Sequence, residues 1–135
     1  MILGFKPQFK EHILKHSKIH TIREDKRNYW SGGATIHFST GVRTKNYHCF
    51  KEDFCRGTQK IEIQYFDKYC SDLHYAVIVD GFVRKFEIFI DGFPIGWEKI
   101  GQLIKNDGFD EKIDFFRFFK KDFKGKIIHW TDLRY

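Results

Sequence analysis

Two apolar segments on either side of an Asp-Gly dipeptide constrain the fold of this chain more than any other feature. The first, Tyr75–Val79, is almost wholly apolar, and the second, Phe82–Ile90, follows directly after Asp80 and Gly81. Asp-Gly favours the tight turn that joins two antiparallel strands. The pattern therefore predicts a β-hairpin, with Tyr75–Val79 as a central strand of its sheet.

Several other segments also favour strands. Residues 60–65 alternate apolar and polar side chains, which predicts a strand with one buried face. Further short strands are predicted at residues 20–23, 34–39, 43–50 and 126–130.

Three helices are predicted among these strands. Pro7 suits the first turn of a helix, and an apolar repeat after it predicts a helix to about His16. A second apolar repeat predicts a helix from Trp97 to the Asn-Asp-Gly stop at residues 106–108. A phenylalanine-rich run predicts a third helix from about residue 109 until Gly125 ends it. We expect its phenylalanines to pack against a sheet and not to form a stacking platform.

These elements together predict one domain over residues 1–135. Its class is α+β and mainly β, since strands outnumber helices along the chain. The expected architecture is a small β-barrel with an N-terminal helix and a C-terminal helix pair at its side.

The composition excludes several classes of protein. Hydrophobic residues make up 41% and aromatic residues 19% of the chain, which is too much for a disordered protein. No apolar run is long enough for a membrane helix or a signal peptide. The three cysteines, Cys49, Cys55 and Cys70, are an odd number without a C-x-x-C pair, which argues against a secreted disulfide framework. We therefore expect a cytoplasmic protein, with neither a metal ion nor a cofactor.

The charge balance favours an anionic partner. Lys and Arg outnumber Asp and Glu by 24 to 18, giving a formal net charge of +6. A basic surface concentrates anions, and nucleic acid is the commonest such partner. The alternative is a solvated basic surface without a partner. The excess basic residues form no continuous run in the sequence, so only folding can bring them together into a binding face.

The N-terminal region resembles the opening of ASCH-domain proteins, which belong to the PUA-like superfamily. The resemblance rests on residues 9–14, 17–23 and 30–33, and it continues at residues 41–44 and 107–109. The family pattern has a helix, a Gly-x-Lys-x-x-Thr-x-Arg strand entry, an aromatic residue and a Gly-Asp turn. His16 here replaces the usual glycine, and Gly33 replaces the usual aspartate. The resemblance implies a small PUA-like β-barrel associated with RNA.

One branch of that family implies a specific reaction, the removal of the acetyl group from N4-acetylcytidine. The resemblance places its lysine and threonine at Lys18 and Thr21, and its acidic residue at Asp107. The branch usually has glutamate at the acidic position, so Asp107 shortens the reach by one methylene. No cofactor is implied.

The residue types suit such a reaction. A threonine hydroxyl becomes a nucleophile when a base takes its proton, and Lys18 is such a base if desolvation or a second cation lowers its pKa. Arg23 lies two residues after Thr21, so both side chains share one face of a strand. Arg23 is thus placed to stabilise an oxyanion. Asp107 either holds the lysine or passes a proton to the leaving amine. Each residue also has a simpler alternative. Lys18 is then a solvated loop lysine and Thr21 a strand residue chosen for its propensity. Arg23 is a phosphate contact or a surface ion pair, and Asp107 caps the helix that starts near Phe109.

Binding residues are predicted around the same strand. Arg23 and Arg27 are candidates for phosphate contacts, and Tyr29 and Trp30 border a Gly-rich turn where an aromatic ring can stack on an unpaired base. The alternative is that Trp30 plugs one end of the barrel.

A second group of binding candidates follows on the predicted strand at residues 43–50. Arg43 and Lys45 alternate there with the aromatic side chains of Tyr47 and His48. Such interleaving of charge and aromatic rings is typical of surfaces that bind single-stranded nucleic acid.

Three functions remain open on this sequence. The first is an RNA- or nucleotide-binding module with a basic cleft around the Lys-x-x-Thr-x-Arg motif. The second is an amidohydrolase that uses the same cleft on a modified nucleoside. The third is a small protein-interaction factor, favoured only if neither ligand binds.

Overall fold

The computed structural model describes residues 1–66 and 75–135. Within these ranges the chain forms nine strands and three helices. In chain order they are β1 (Ile2–Phe5), α1 (Pro7–Leu14), β2 (His20–Arg23), β3 (Thr35–Thr40), β4 (His48–Phe54), β5 (Gly57–Phe66), β6 (Tyr75–Val79), β7 (Phe82–Ile90), β8 (Phe93–Pro94), α2 (Trp97–Asn106), α3 (Lys112–Phe118) and β9 (Phe123–His129).

The strands form two sheets. The smaller has the order β1-β3-β4, with β1 parallel to β3. The larger has the order β2-β9-β5-β7-β6, and β8 pairs with the end of β7. The fold is therefore α+β and mainly strand, as predicted. Among the described strands, no backbone ladder joins the two sheets into a closed barrel.

The chain passes between the sheets at Cys55 and Arg56. The Cys55 amide donates to the carbonyl of Ala34 at 2.7 Å, which extends the ladder of the smaller sheet. The next amide, that of Arg56, donates to the carbonyl of His129 at 2.7 Å and begins the ladder of the larger sheet. The two sheets are thus joined on this side by one continuous extended segment.

On the opposite side the two sheets meet through β1 and β2. Each of these strands has one ladder partner among the described strands, β3 for β1 and β9 for β2. Arg23 in β2 donates from Nη2 to the backbone carbonyl of Gly4 in β1 at 2.6 Å. A side chain therefore bridges the position where a backbone ladder would close the ring of strands.

Two hydrophobic cores lie on opposite faces of the larger sheet. Ile127 and Ile128 are consecutive in β9, so their side chains point to opposite faces. Ile127 joins the core under α2 and α3, and Ile128 joins the core between the sheets and α1. The second core includes two tryptophans, Trp30 and Trp130. β2 and β9 are therefore packed from both sides, which fixes the strand that carries Thr21 and Arg23.

Several predicted elements are confirmed. β6 and β7 form the antiparallel hairpin around Asp80 and Gly81, both with positive φ. Residues 20–23 form β2, and α2 spans Trp97–Asn106 and is followed by Asp107 and Gly108. The first helix ends at Leu14, two residues earlier than predicted.

Two details of the prediction are wrong. β6 is the last strand of the larger sheet and not a central one, and Ile78 is exposed. The third helix ends at Phe118, and Phe123 and Gly125 lie inside β9. Phenylalanine packs equally well in a helix or a strand, so the aromatic run did not mark the change of backbone.

The strand predicted at residues 43–50 is also wrong, because extended backbone begins only at His48. Arg43 has a left-handed backbone with φ 64°, and the Thr44 hydroxyl donates to the carbonyl of Gly41 at 2.6 Å. These features are those of a side-chain-stabilised turn. Arg43 and Lys45 therefore lie on an exposed loop and do not alternate with aromatic groups on a strand.

None of the described helices has the length and apolar character that crossing a membrane requires.

Candidate ligand-binding cavity

A cavity of about 350 Å³ opens at the gap between β1 and β2. The structure brings four of the predicted site residues together in its wall: Lys18, Thr21, Arg23 and Asp107. Lys18, Thr21 and Asp107 are each at least 96% buried. The Lys-x-x-Thr-x-Arg segment and the end of α2 thus contribute to one site, although Asp107 lies 84 positions after Arg23 in the chain.

Lys18 and Asp107 form a buried ion pair. The Lys18 ammonium donates to Asp107 Oδ1 at 2.9 Å and to the backbone carbonyl of Asp107 at 2.6 Å. Because only 3% of either residue is exposed, solvent screens this pair little. The lysine is therefore fixed at the cavity wall by two hydrogen bonds to one residue.

The backbone holds the two partners in register. The residues form an isolated antiparallel bridge, and the amide of Ile19 donates to the carbonyl of Asn106 at 2.9 Å. Asp107 is the C-terminal cap of α2, and Gly108 follows with φ 90°. A Cβ at Gly108 would lie 3.0 Å from Lys18 Cδ, so glycine permits both the left-handed turn and the close approach of the lysine.

Thr21 and Arg23 lie on the same face of β2, as predicted. Arg23 donates from Nε to Thr21 Oγ1 at 3.3 Å while its Nη2 holds Gly4. Its guanidinium carbon also lies 5.0 Å from the centre of the Phe5 ring. The Thr21 hydroxyl is consequently an acceptor from Arg23, and its own proton remains available for donation.

Burial dominates the electrostatics of the site. Desolvation lowers the pKa of Lys18; the Asp107 carboxylate opposes this change and the Arg23 charge adds to it. Desolvation also lowers the pKa of Arg23, and the Asp107 carboxylate again raises it in part. Removal of the Asp107 charge would therefore favour the neutral form of Lys18.

Aromatic rings make up much of the rest of the wall. The Lys18 ammonium lies 4.9 Å from the centre of the Phe9 ring and 5.8 Å from that of Phe5. Phe118 also lines the cavity, but 52% of its surface is exposed, and the Lys6 ammonium lies 5.5 Å from its ring centre. The expectation that the phenylalanine run is core holds for Phe115, Phe116 and Phe119, whereas Phe118 presents its ring to solvent at the cavity.

His20 is a residue of this site that sequence reasoning missed. It is fully buried, and its Nδ1 lies 3.4 Å from Asp107 Oδ1 without hydrogen-bond geometry. Its Nε2 lies 2.6 Å from the Tyr135 hydroxyl, to which Asn106 Nδ2 donates at 3.0 Å. His20 therefore contacts the acid of the buried pair from behind. The sequence motif points to Thr21 and Arg23, which share one face of β2. His20 lies on the opposite face, so the motif gave no signal for it.

The contacts continue to a second buried histidine. His129 Nε2 lies 3.0 Å from Gln59 Oε1, and that oxygen also accepts the amide of Tyr135 at 3.0 Å. Desolvation lowers the pKa of His129 to about 3, with further contributions from His20 and Arg134. Desolvation likewise lowers the pKa of His20, and Asp107 opposes that change. Both histidines are thus neutral at physiological pH.

The remaining predicted binding residues lie apart from the cavity wall. Arg27 and Tyr29 are exposed and contact each other through a 3.4 Å hydrogen bond from Arg27 to the tyrosine hydroxyl. Trp30 is buried in the core between the sheets and α1, so its ring is not exposed for stacking on a base. Arg43 and Lys45 are exposed on a loop that also contains Val42, and the Val42 side chain lies next to Gly4.

The sequence also offers His48, Cys49, Cys55, Cys70 and His74 as possible zinc ligands, but Cys70 and His74 lie outside the described residues.

Comparison of this chain with family models, with curated proteins and with solved structures found no match.

Proposed function

We propose that this chain is a cytoplasmic RNA- or nucleotide-binding module of PUA-like fold, and that the cavity between β1 and β2 takes a nucleobase. The observation that carries the proposal is the composition of the cavity wall. Aromatic rings, a bridging arginine and a buried lysine–aspartate pair surround a space of base size. Such a site offers stacking, hydrogen bonds and positive charge to one ligand.

The strand arrangement supports the PUA-like part of the proposal. A path runs from β1 through β3 and β4, crosses at Cys55 and Arg56, and returns through β5 and β9 to β2. The remaining gap is spanned by the Arg23 side chain. A small barrel opened at one seam would have such a path, and the cavity lies at the gap between β1 and β2.

The dimensions and the aromatic groups support a base as the ligand. Sites for small ligands typically measure about 300–1,000 Å³, and the cavity lies at the lower end of that range. The half-exposed Phe118 ring offers a stacking surface at the cavity, next to the Lys6 ammonium. Base stacking on an aromatic side chain contributes roughly 1–3 kcal/mol.

Exposed cations near the cavity support contacts to phosphate. Lys6 lines the cavity itself, and Arg43 follows Val42, whose side chain packs against Gly4 at the cavity wall. The net charge of +6 favours approach of a polyanion. We expect the affinity for RNA to fall as salt is raised, because bound phosphates release their counterions.

The test is a fluorescence anisotropy titration with short single-stranded RNA, beside calorimetry with free nucleosides. Phe118→Ala should weaken binding by about five- to 150-fold, the loss of one stacked base. Phe93→Ala is the matched control, because Phe93 is 74% exposed and does not line the cavity. Equal affinities for the two variants, or no binding of any nucleoside or RNA, would contradict the proposal and favour a protein-interaction factor.

A second candidate function, amide hydrolysis on a modified nucleoside, is favoured by one specific observation. Lys18 is a buried lysine with a lowered pKa, and it lines the same cavity as the Thr21 hydroxyl and Arg23. A lysine in that state is suited to general base catalysis.

The proposed reaction runs in two stages. The Thr21 oxygen attacks the carbonyl carbon of an N-acetyl group while neutral Lys18 takes its proton, and Arg23 stabilises the oxyanion. The carbon–nitrogen bond then breaks, and Lys18 returns the proton to the leaving amine. Water next attacks the acetyl-threonine ester while Lys18 takes one of its protons and passes it to Thr21 Oγ1, which restores the hydroxyl. Acetic acid leaves and loses its remaining proton to solvent. Asp107 holds Lys18 in place throughout.

Release of cytidine from N4-acetylcytidine tests this candidate. Lys18→Arg should abolish turnover, because arginine does not deprotonate, whereas a purely binding site should retain affinity with arginine. Thr21→Val keeps the shape of the side chain and removes the hydroxyl. Turnover that persists in both variants, or a folded wild type without turnover, would exclude the reaction and leave the binding module.

A further inference from the structure

A cluster of three different ligand types lies on the smaller sheet, away from the cavity. It consists of His37 in β3 and of Cys49 and Glu52 in β4, and their ligand atoms all lie within 4.8 Å of one another. His37 Nδ1 is 3.2 Å from Glu52 Oε1. None of the three residues lines the cavity between β1 and β2.

An irregularity in the ladder creates this cluster. Cys49 and Glu52 are three residues apart, so in a regular strand their side chains would point to opposite faces. Between them the register shifts, because Phe38 pairs with Lys51 whereas Ser39 pairs with Cys49. The extra residue, Phe50, is a β-bulge, and a bulge of this kind re-aims the side chains beyond it. Cys49 is thereby brought to the face that carries the directly paired His37 and Glu52.

We propose that His37, Cys49 and Glu52 bind a divalent zinc ion. An imidazole nitrogen, a thiolate and a carboxylate oxygen are the three ligand types that zinc takes from proteins. Thiolate among the ligands disfavours the hard ions magnesium and calcium. Binding of the metal displaces the thiol proton of Cys49 to solvent.

The surroundings suit an open site on the protein surface. His37 and Glu52 side chains are 37% and 66% exposed, and Cys49 is partly buried, so an ion reaches all three from solvent. Three protein ligands leave the fourth tetrahedral position to water or to a ligand atom from a partner. The Cys49 thiol donates a long 3.6 Å hydrogen bond to the carbonyl of Lys51. Metal binding by Cys49 therefore gives up only a weak hydrogen bond.

Titration of the metal-free chain with Co²⁺ and Zn²⁺ tests the proposal. Co²⁺ should give the absorption of a thiolate-bound tetrahedral ion, and Zn²⁺ should displace it. The variants Cys49→Ser, His37→Ala and Glu52→Gln should each weaken Zn²⁺ binding by more than about tenfold. Removal of a residue that only supports a metal ligand already costs about that much, and these variants change the ligands themselves. Circular dichroism should show that all three variants are folded.

Two control variants distinguish this site from other metal-binding groups of the chain. His48→Asn changes an exposed histidine next to Cys49 that is not in the cluster, and it should leave the affinity unchanged. Cys70→Ser should also leave it unchanged. Zn²⁺ binding that survives Cys49→Ser, or that is lost in either control, would overturn the assignment. So would Co²⁺ binding without a thiolate band.

Discussion

Arg23 in β2 donates a hydrogen bond to the carbonyl of Gly4 in β1 at a distance of 2.6 Å. The same guanidinium donates to Thr21 and lies against the Phe5 ring. One side chain thus holds two strand edges, a hydroxyl and an aromatic ring around the cavity. The arginine of the Lys-x-x-Thr-x-Arg segment has a structural role whatever ligand the cavity takes.

Replacement of this arginine by lysine should destabilise the fold. Lysine has a single compact ammonium in place of the planar fork of the guanidinium, so it does not reproduce the two directed hydrogen bonds that Nε and Nη2 donate to Thr21 and Gly4. We expect Arg23→Lys to lower the free energy of unfolding by about 1.5–3 kcal/mol, the usual contribution of a hydrogen bond to a charged group. Urea denaturation measures this loss. Arg27→Lys, at an exposed arginine, is the control and should leave the midpoint unchanged, and equal midpoints for the two variants would contradict the bridging role.

The buried pair should show strong coupling in a double-mutant cycle. Asp107→Leu leaves Lys18 without its partner in a buried site, so the lysine must either stay charged there or lose its proton, and the change should cost about 3–5 kcal/mol of unfolding free energy. Lys18→Met should be similarly costly, whereas the double variant should cost less than the sum of the two. The exposed pair of Glu11 and Lys15 is the control cycle and should show far weaker coupling. Additive losses at Lys18 and Asp107 would show that the pair is not coupled.

Gly108 offers a test of how the lysine is positioned. Gly108 and Gly81 both have positive φ, at 90° and 85°, so alanine at either position should cost about 1–2 kcal/mol. Only at Gly108 would the new Cβ meet Lys18 and Phe9, since nothing lies within 4 Å at Gly81. We therefore expect Gly108→Ala alone to weaken nucleoside binding in calorimetry. A comparable loss of affinity in Gly81→Ala would mean that instability, and not displacement of Lys18, is the cause.

Acid should unfold this protein partly through its buried histidines. The pKa of His129 is about 3 in the folded chain and 6.5 in an exposed histidine, so between these values the unfolded chain binds more protons. The unfolding free energy must then fall as the pH falls through this window, by about 1.4 kcal/mol per pH unit for one such group. His129→Gln should remove that contribution when unfolding is measured from pH 6.5 to pH 4. Parallel curves for the variant and the wild type would contradict a neutral buried His129.

Local signals in the sequence were sufficient for some elements. The Asp80-Gly81 turn and the paired strands beside it follow from turn chemistry and alternation, and the predicted and observed hairpins agree. The end of α2 follows from the Asn-Asp-Gly stop. In both cases a short stretch of chain contains the whole physical cause of the structure.

Other features depend on partners far away along the chain. Whether Tyr75–Val79 is a central or an edge strand depends on the order of strands in the sheet. The residues of the strand itself carry no information on that order. The contact of His20 with Asp107 requires the end of α2 to lie beside the start of β2, two segments that are far apart in the chain. The cluster of His37, Cys49 and Glu52 depends on a bulge, and an alternation pattern places Cys49 and Glu52 on opposite faces. The sequence therefore predicted which polar side chains line the cavity, but not the contacts that these side chains make with distant segments of the chain.

The passage of the chain through Cys55 and Arg56 has a consequence for how the fold comes apart. Two consecutive amide groups are protected by carbonyls of different sheets, Ala34 for the first and His129 for the second. Fraying of one sheet at this point pulls on the ladder of the other, because no flexible linker separates the two amides. We therefore expect the two sheets to unfold as one cooperative unit, so that the amides of Cys55 and Arg56 exchange with an opening free energy close to that of global unfolding.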